Sequence, residues 1–142
     1  MNLGSPDSPA VGDVRRFLRE FLMDCRVLDI PWVVRFFLVQ FLILPFRPKK
    51  TAAAYRKVWL PDGSPLVVTC KNVRKKLKAR IDIPIELAMR YQNPPIEQAV
   101  DNLLEHGIDE ILLIPLFPHY AMSATRPRWK KQGPFSEKKL QQ

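Results

Sequence analysis

Few side chains in this 142-residue sequence have the type and spacing to do chemistry. The two cysteines, Cys25 and Cys70, cannot build a disulfide framework or a multi-cysteine metal site. Five glycines leave no Gly-rich phosphate loop of either common pattern. What stands out is a set of cations around an apolar run. Arg26, Arg35, Arg47, Lys49 and Lys50 flank or interrupt residues 32–44. Guanidinium and ammonium groups beside apolar surface suit an acidic membrane face, or the carboxylates of an apolar ligand.

The elements that must position these groups follow from periodicity. The run 32–44 is interrupted by Arg35 and Gln40 and bordered by Pro31 and Pro45. A spanning helix needs about 20 apolar residues, so it does not read as transmembrane. Three readings stay open: a buried helix, a hydrophobic lip over a ligand cleft, or a surface membrane anchor. Upstream, Val14, Phe17, Leu18, Phe21, Leu22 and Cys25 recur at helical spacing, so a helix opens near Gly12 or Asp13 with both thiol and rings inward. Arg47 to Lys50 reads as a basic turn, with a short helix over 52–59 after it. Leu66, Cys70, Val73 and Leu77 predict a helix over 65–80, with Ser64 as cap and Pro65 at its first position. Cys25 and Cys70 both read as buried thiols on apolar helix faces.

Residues 85–91 predict a strand, 95–106 a helix stopped by Gly107, and 111–117 a strand apolar enough to be covered on both faces. Strand, helix and strand make a right-handed βαβ unit on a parallel sheet. Ligands of such sheets bind beyond the carboxyl ends of the strands. Those ends are Arg90-Tyr91, Pro118-His119-Tyr120 and Gly4-Ser5-Pro6.

Composition sets the outer bounds. The chain has room for one domain at most. Hydrophobic residues at 46% exclude disorder throughout. The net charge of +9 is uneven. Residues 124–142 hold six Lys/Arg against one Glu, which leaves 17 basic and 13 acidic residues in the other 123. The basic balance therefore gives no reason to expect nucleic acid. Without a charged and apolar secretory opening, and with two cysteines, the expected compartment is a reducing cytoplasm, with peripheral contact at the inner membrane through residues 32–46.

Six segments carry a resemblance. Asn-Leu-Gly-Ser-Pro (2–6), Ile-Leu-Pro-Phe-Arg-Pro-Lys-Lys (43–50), Tyr-Arg-Lys-Val-Trp (55–59), Gly-Ser-Pro-Leu (63–66), Glu-Leu-Ala-Met-Arg-Tyr (86–91) and Pro-Leu-Phe-Pro-His-Tyr (115–120) occur in that order. Together the chain resembles the N-terminal part of a bacterial ferrochelatase over about residues 2–123. The resemblance implies an α/β fold: a partial Rossmann-like, chelatase-type three-layer domain with a parallel sheet, the first half of a two-domain fold around a porphyrin cleft. It implies a lyase reaction of heme biosynthesis in which ferrous iron enters protoporphyrin IX or coproporphyrin and two pyrrole protons leave. Porphyrin and Fe2+ are then substrates, and no cofactor is implied for this chain.

The resemblance also carries residues over. Leu3 stands where the family places a side chain facing the macrocycle. Arg47 matches a basic position reaching a propionate, Tyr55 the aromatic hydroxyl at the same rim, and Ser64 the Ser of the Gly-Ser-Pro turn. Arg90 and Tyr91 match a strand-end pair near the cleft. Each has a plainer reading beside it: a solvated basic turn for Arg47, a core-packed ring for Tyr55, a helix cap for Ser64, and a structural pair with a nearby carboxylate for Arg90. The family's catalytic His and its partner Glu lie in the second half of the longer protein, and no position here matches either motif. His106 and His119 do not replace them. No catalytic or metal-ligating residue is therefore expected in this chain, and alone it is expected to be inactive. After Ser123 the resemblance stops. The basic tail 124–142 reads as out of frame, since back-translation of residues 124–130 allows codons whose shifted reading gives Tyr-Glu-Thr-Ala-Val-Glu, close to the family's continuation.

Overall fold

The computed structural model describes residues 1–108 and 110–116. Pro118, His119, Tyr120 and the tail 124–142 lie outside the described residues.

The structure is α/β. Strand β1 (Asn2–Gly4) is followed by helices α1 (Val11–Met23) and α2 (Trp32–Phe37), the latter running into a π-helical turn (Leu38–Ile43). Helices α3 (Arg47–Val58) and α4 (Pro65–Lys78), strand β2 (Met89–Tyr91) and helix α5 (Ile96–Glu105) complete the order. The two strands pair in parallel, Asn2 opposite Met89 and Gly4 opposite Tyr91. Side chains alternate across a strand, so neighbouring residues reach different layers. Leu87 and Met89 pack with Cys70, Leu66 and Val67 of α4. Met1 and Ala88 pack with Ala99 and Ile96 of α5. Helix, sheet and helix form three layers.

Gly4 explains how tightly the strands close. Its φ is +107°, and a Cβ there would stand 2.0 Å from the Tyr91 carbonyl oxygen. Only glycine tolerates both the left-handed backbone and that approach.

A second core lies among α1, the π turn and α3: Val14, Leu18, Leu22, Val39, Leu44 and Ala52. Val14, Phe17, Leu18 and Leu22 are buried on α1, as their spacing predicts. Asp13 in its first turn complements the helix dipole. Cys25 corrects its expectation. The helix ends at Met23, so the thiol leaves the apolar face and is exposed, while Cys70 is buried.

The run 32–44 is not a buried helix. Trp32, Val33, Val34, Phe37, Phe41 and Leu42 all face outward. Val39 and Leu44 face the core, and the Leu44 N–H donates to the Val39 carbonyl at 2.9 Å. On an α-helix, positions five apart stand about 140° apart. The wider turn brings both onto one side. Arg35, expected to meet an acidic surface or ligand, is instead buried.

Two further boundaries differ. The basic turn 47–50 is the first turn of α3, because Pro48 near a helix start sacrifices no hydrogen bond. The strand expected over 85–91 is regular only from Met89, and the one over 111–117 is not regular in its described part. One pair of bonds ties that segment to β1: the Met1 amine donates to the Ile114 carbonyl at 2.8 Å, and the Leu116 N–H donates to the Met1 carbonyl at 2.8 Å. Nor are both faces covered, since Leu112 is 84% exposed and Ile114 and Leu116 are exposed too.

Candidate functional site

The carboxyl ends of β1 and β2 lie side by side, with Gly4 against Tyr91. That junction gathers four of the six expected residues. Leu3 sits half-buried in β1, its N–H held at 2.8 Å by the Asn2 side-chain oxygen. The chain then turns at Ser5, which is buried with its hydroxyl unpartnered among the described residues. Tyr55, in the last half of α3, brings its own hydroxyl close to that of Ser5, short of good hydrogen-bond geometry. Burial pushes the Tyr55 phenol above its ordinary value, and the Ser5 hydroxyl pulls weakly the other way. The ring also packs on the core of α1 and α3 and meets Trp59 edge-on at 5.9 Å. Tyr55 is therefore both a core ring and a hydroxyl directed at the end of β1.

Arg90 and Tyr91 meet at Asp24, the residue that ends α1. The Arg90 Nη2 donates to Asp24 Oδ2 at 2.8 Å, and the Tyr91 hydroxyl donates to the same oxygen at 3.1 Å. The Arg90 guanidinium also stands 5.7 Å from the centre of the Tyr91 ring. Only 8% of the Arg90 side chain is exposed. Burial pushes the Asp24 carboxyl up. The Arg26 amide, the Arg90 guanidinium and the Tyr91 hydroxyl outweigh it and hold the group below its ordinary value. Tyr91 is pushed up to about 12, by burial first and by the neighbouring Asp24 charge next, against the pull of Arg90. The Phe21 ring closes this corner, edge-on to Tyr91 at 5.3 Å.

The other two residues stand apart from this junction. Arg47 is exposed at the start of α3, about two turns before Tyr55, and pairs with no carboxylate among the described residues. Ser64 is buried at the N-cap of α4, but its hydroxyl makes no capping bond. No hydrogen bond joins either side chain to the other four among the described residues.

Asp24 and Ser5 were not singled out by sequence reasoning. Ser5 lay inside a strand end already marked as ligand-facing. Asp24 gave a weaker signal, an acid just past the last apolar position of a helix. Among the described residues no group of three or more His, Cys, Asp or Glu could hold a metal ion. His106 is exposed just past α5, its Nδ1 at 2.6 Å from the Asn102 carbonyl. An open trough of about 510 Å³ lies between α1 and the π turn. It is lined by arginines, Gln40, Leu44 and Pro45, and none of the six residues borders it. Hydrogen-bond donors converge instead at the strand ends, on Asp24.

Comparison with known proteins agrees with the order of the motifs. The profile of the family described as Ferrochelatase matches residues 1–138. A ferrochelatase of Coxiella burnetii (strain RSA 493 / Nine Mile phase I) is 45% identical over 127 residues, covering 88% of this chain and 36% of that protein. The ferrochelatase of Opitutus terrae is 49% identical over 127 residues, 87% of this chain and 37% of its own length. That of Azotobacter vinelandii is 48% identical over 124 residues, with 87% and 36% covered. The chain thus spans a little over a third of these curated relatives. No solved structure matches.

Proposed function

The chain belongs to the ferrochelatase family, and from that membership we propose that it forms one wall of a porphyrin cleft. Leu3 packs against the macrocycle, Arg47 and Tyr55 meet its propionates, and Ser64, Arg90 and Tyr91 complete the rim. The substrates are protoporphyrin IX or coproporphyrin and Fe2+, and the reaction is the lyase-type insertion of iron in heme biosynthesis, in the cytoplasm. The family match over 1–138 supports this reading, because it takes in all six residues.

The chemistry asks for a metal ligand that also accepts pyrrole protons. No position of this chain matches the family's His or Glu motif for that role. The chain alone therefore holds porphyrin weakly and inserts no metal. Residues 1–123 form the family domain, and 124–142 are an out-of-frame tail. The family profile runs past Ser123, so the DNA downstream of that codon decides the frame. A second frame encoding the His- and Glu-bearing half is expected there.

Absorbance of purified chain with porphyrin and Zn2+ tests inactivity: no metalloporphyrin above the protein-free rate is expected. Fluorescence titration tests binding. A hydrogen bond to a charged group contributes about 1.5–3 kcal/mol, so Arg47→Ala should weaken porphyrin affinity about tenfold or more. Wild-type chain that leaves porphyrin fluorescence untouched would sink the cleft reading.

A second reading rests on the outward stripe of residues 32–46. The rings of Trp32, Phe36, Phe37 and Phe41 touch in succession at 5.4 to 5.8 Å, and Phe46 is 73% exposed. No described helix is long and apolar enough to cross a membrane. Rings on one side and Lys49 and Lys50 beside them fit an anionic lipid surface. Sedimentation with anionic vesicles should retain the chain, and a Trp32→Ser, Phe37→Ser, Phe41→Ser variant should be released. Equal retention of both would exclude the stripe.

A further inference from the structure

We propose that Asp24 is a positioning residue that seats the apolar ridge 32–46 against the carboxyl end of the sheet, and that Arg90 and Tyr91 act on a bound porphyrin through it. The second half of this statement rests on the cleft reading; the first does not.

The bonds run without a break from the sheet to the ridge. Asp24 Oδ2 holds Arg90 and Tyr91 of β2. Its Oδ1 accepts the Arg26 N–H at 2.9 Å, and its carbonyl accepts the N–H groups of Val27 and Leu28 at 3.0 and 3.1 Å. The Leu28 carbonyl in turn accepts Arg35 Nη1 at 3.0 Å. Arg35 also reaches the Ile30 carbonyl, at 3.4 Å. Arg35 belongs to α2, so the last bond lands on the ridge itself.

The ridge needs such a support. Six residues are too few for α2 to hold a helix by propensity alone. Trp32, Phe37 and Phe41 spend their side chains on the outside. Val39 and Leu44 anchor the far end, which leaves the near end to the turn that Asp24 starts. A partly buried carboxylate with two donors from β2 resists displacement, because losing one of them leaves its charge less well balanced. Arg90, with so little of its side chain exposed, reaches a ligand through what it holds.

Amide hydrogen exchange on the full chain tests the support, comparing wild type with Asp24→Asn, Arg90→Met and Arg90→Lys. Losing one charged hydrogen bond should raise exchange over residues 24–37 about tenfold in D24N and R90M, with α4 and α5 within about twofold of wild type. R90K keeps the charge and should stay within about threefold. Unchanged exchange over 24–37 in D24N and R90M would overturn the proposal, as would a rise spread equally over α4 and α5. If D24N fails to fold, the contrast between R90M and R90K carries the test alone.

Titration of the same proteins with a dicarboxylate porphyrin separates the two halves. Affinity about tenfold weaker in D24N supports transmission through Asp24. Loosened exchange with unchanged affinity overturns transmission. Wild type that binds no porphyrin overturns the cleft reading, and the exchange data still judge the support.

Discussion

At the scale of single residues, Asp24 and Tyr91 make the fold answer to pH at both ends. The Asp24 carboxyl is held below its unfolded value, so its contribution is complete above about pH 4 and fades as pH falls through the folded value. Tyr91 is shifted the other way, from 10.0 up to about 12. Its protonated hydroxyl contributes fully below pH 10.0, and that contribution is lost as pH rises toward about 12. Asp24→Asn should therefore flatten the acid limb of stability against pH. It should also lower the Tyr91 titration, because the carboxylate charge and its hydrogen bond both hold the phenol neutral. Denaturant midpoints across pH, with ultraviolet absorbance for the phenolate, read both effects. An unchanged acid limb in D24N would show that the pair contributes nothing to stability.

At the scale of elements, the strongly periodic helices were legible. The inward face of α1 and the span of α4 follow from the spacing of Val14 to Leu22 and from Ser64-Pro65. Gly107, in a left-handed backbone, stops the chain just past α5. Periodicity failed where the chain departs from 3.6 residues per turn. No α-helical pattern pairs Val39 with Leu44, so the π turn was invisible and the burial of the whole run was left open. It failed again at Cys25, where a helix ended two residues before its apolar repeat did. The strand 111–117 showed the limit of composition. An apolar run says that burial would be favourable, but it does not say how far regular strand pairing extends. The site was half legible. Their place at a strand end and the family resemblance marked Arg90 and Tyr91, but the carboxylate that holds them lies 66 and 67 positions earlier, beyond any local pattern.

At the scale of the whole molecule, the three layers are thin. Among the described residues two three-residue strands carry the sheet, and the segment 111–116 presents Leu112, Ile114 and Leu116 outward. An open sheet edge with apolar side chains recruits other chains. The isolated protein should therefore self-associate at micromolar concentration. Leu112→Lys, which places a charge on that edge, should raise the monomer fraction in sedimentation velocity. A wild-type chain that stays monomeric at every concentration would contradict this.

Cys25 stands exposed one position beyond the carboxylate that joins sheet and ridge, while Cys70 is shielded beneath the sheet. Nature has thus left a single accessible attachment point at the root of the greasy flap. A maleimide dye placed there, with no engineered handle, would report any tilting of that flap as a change in its own emission.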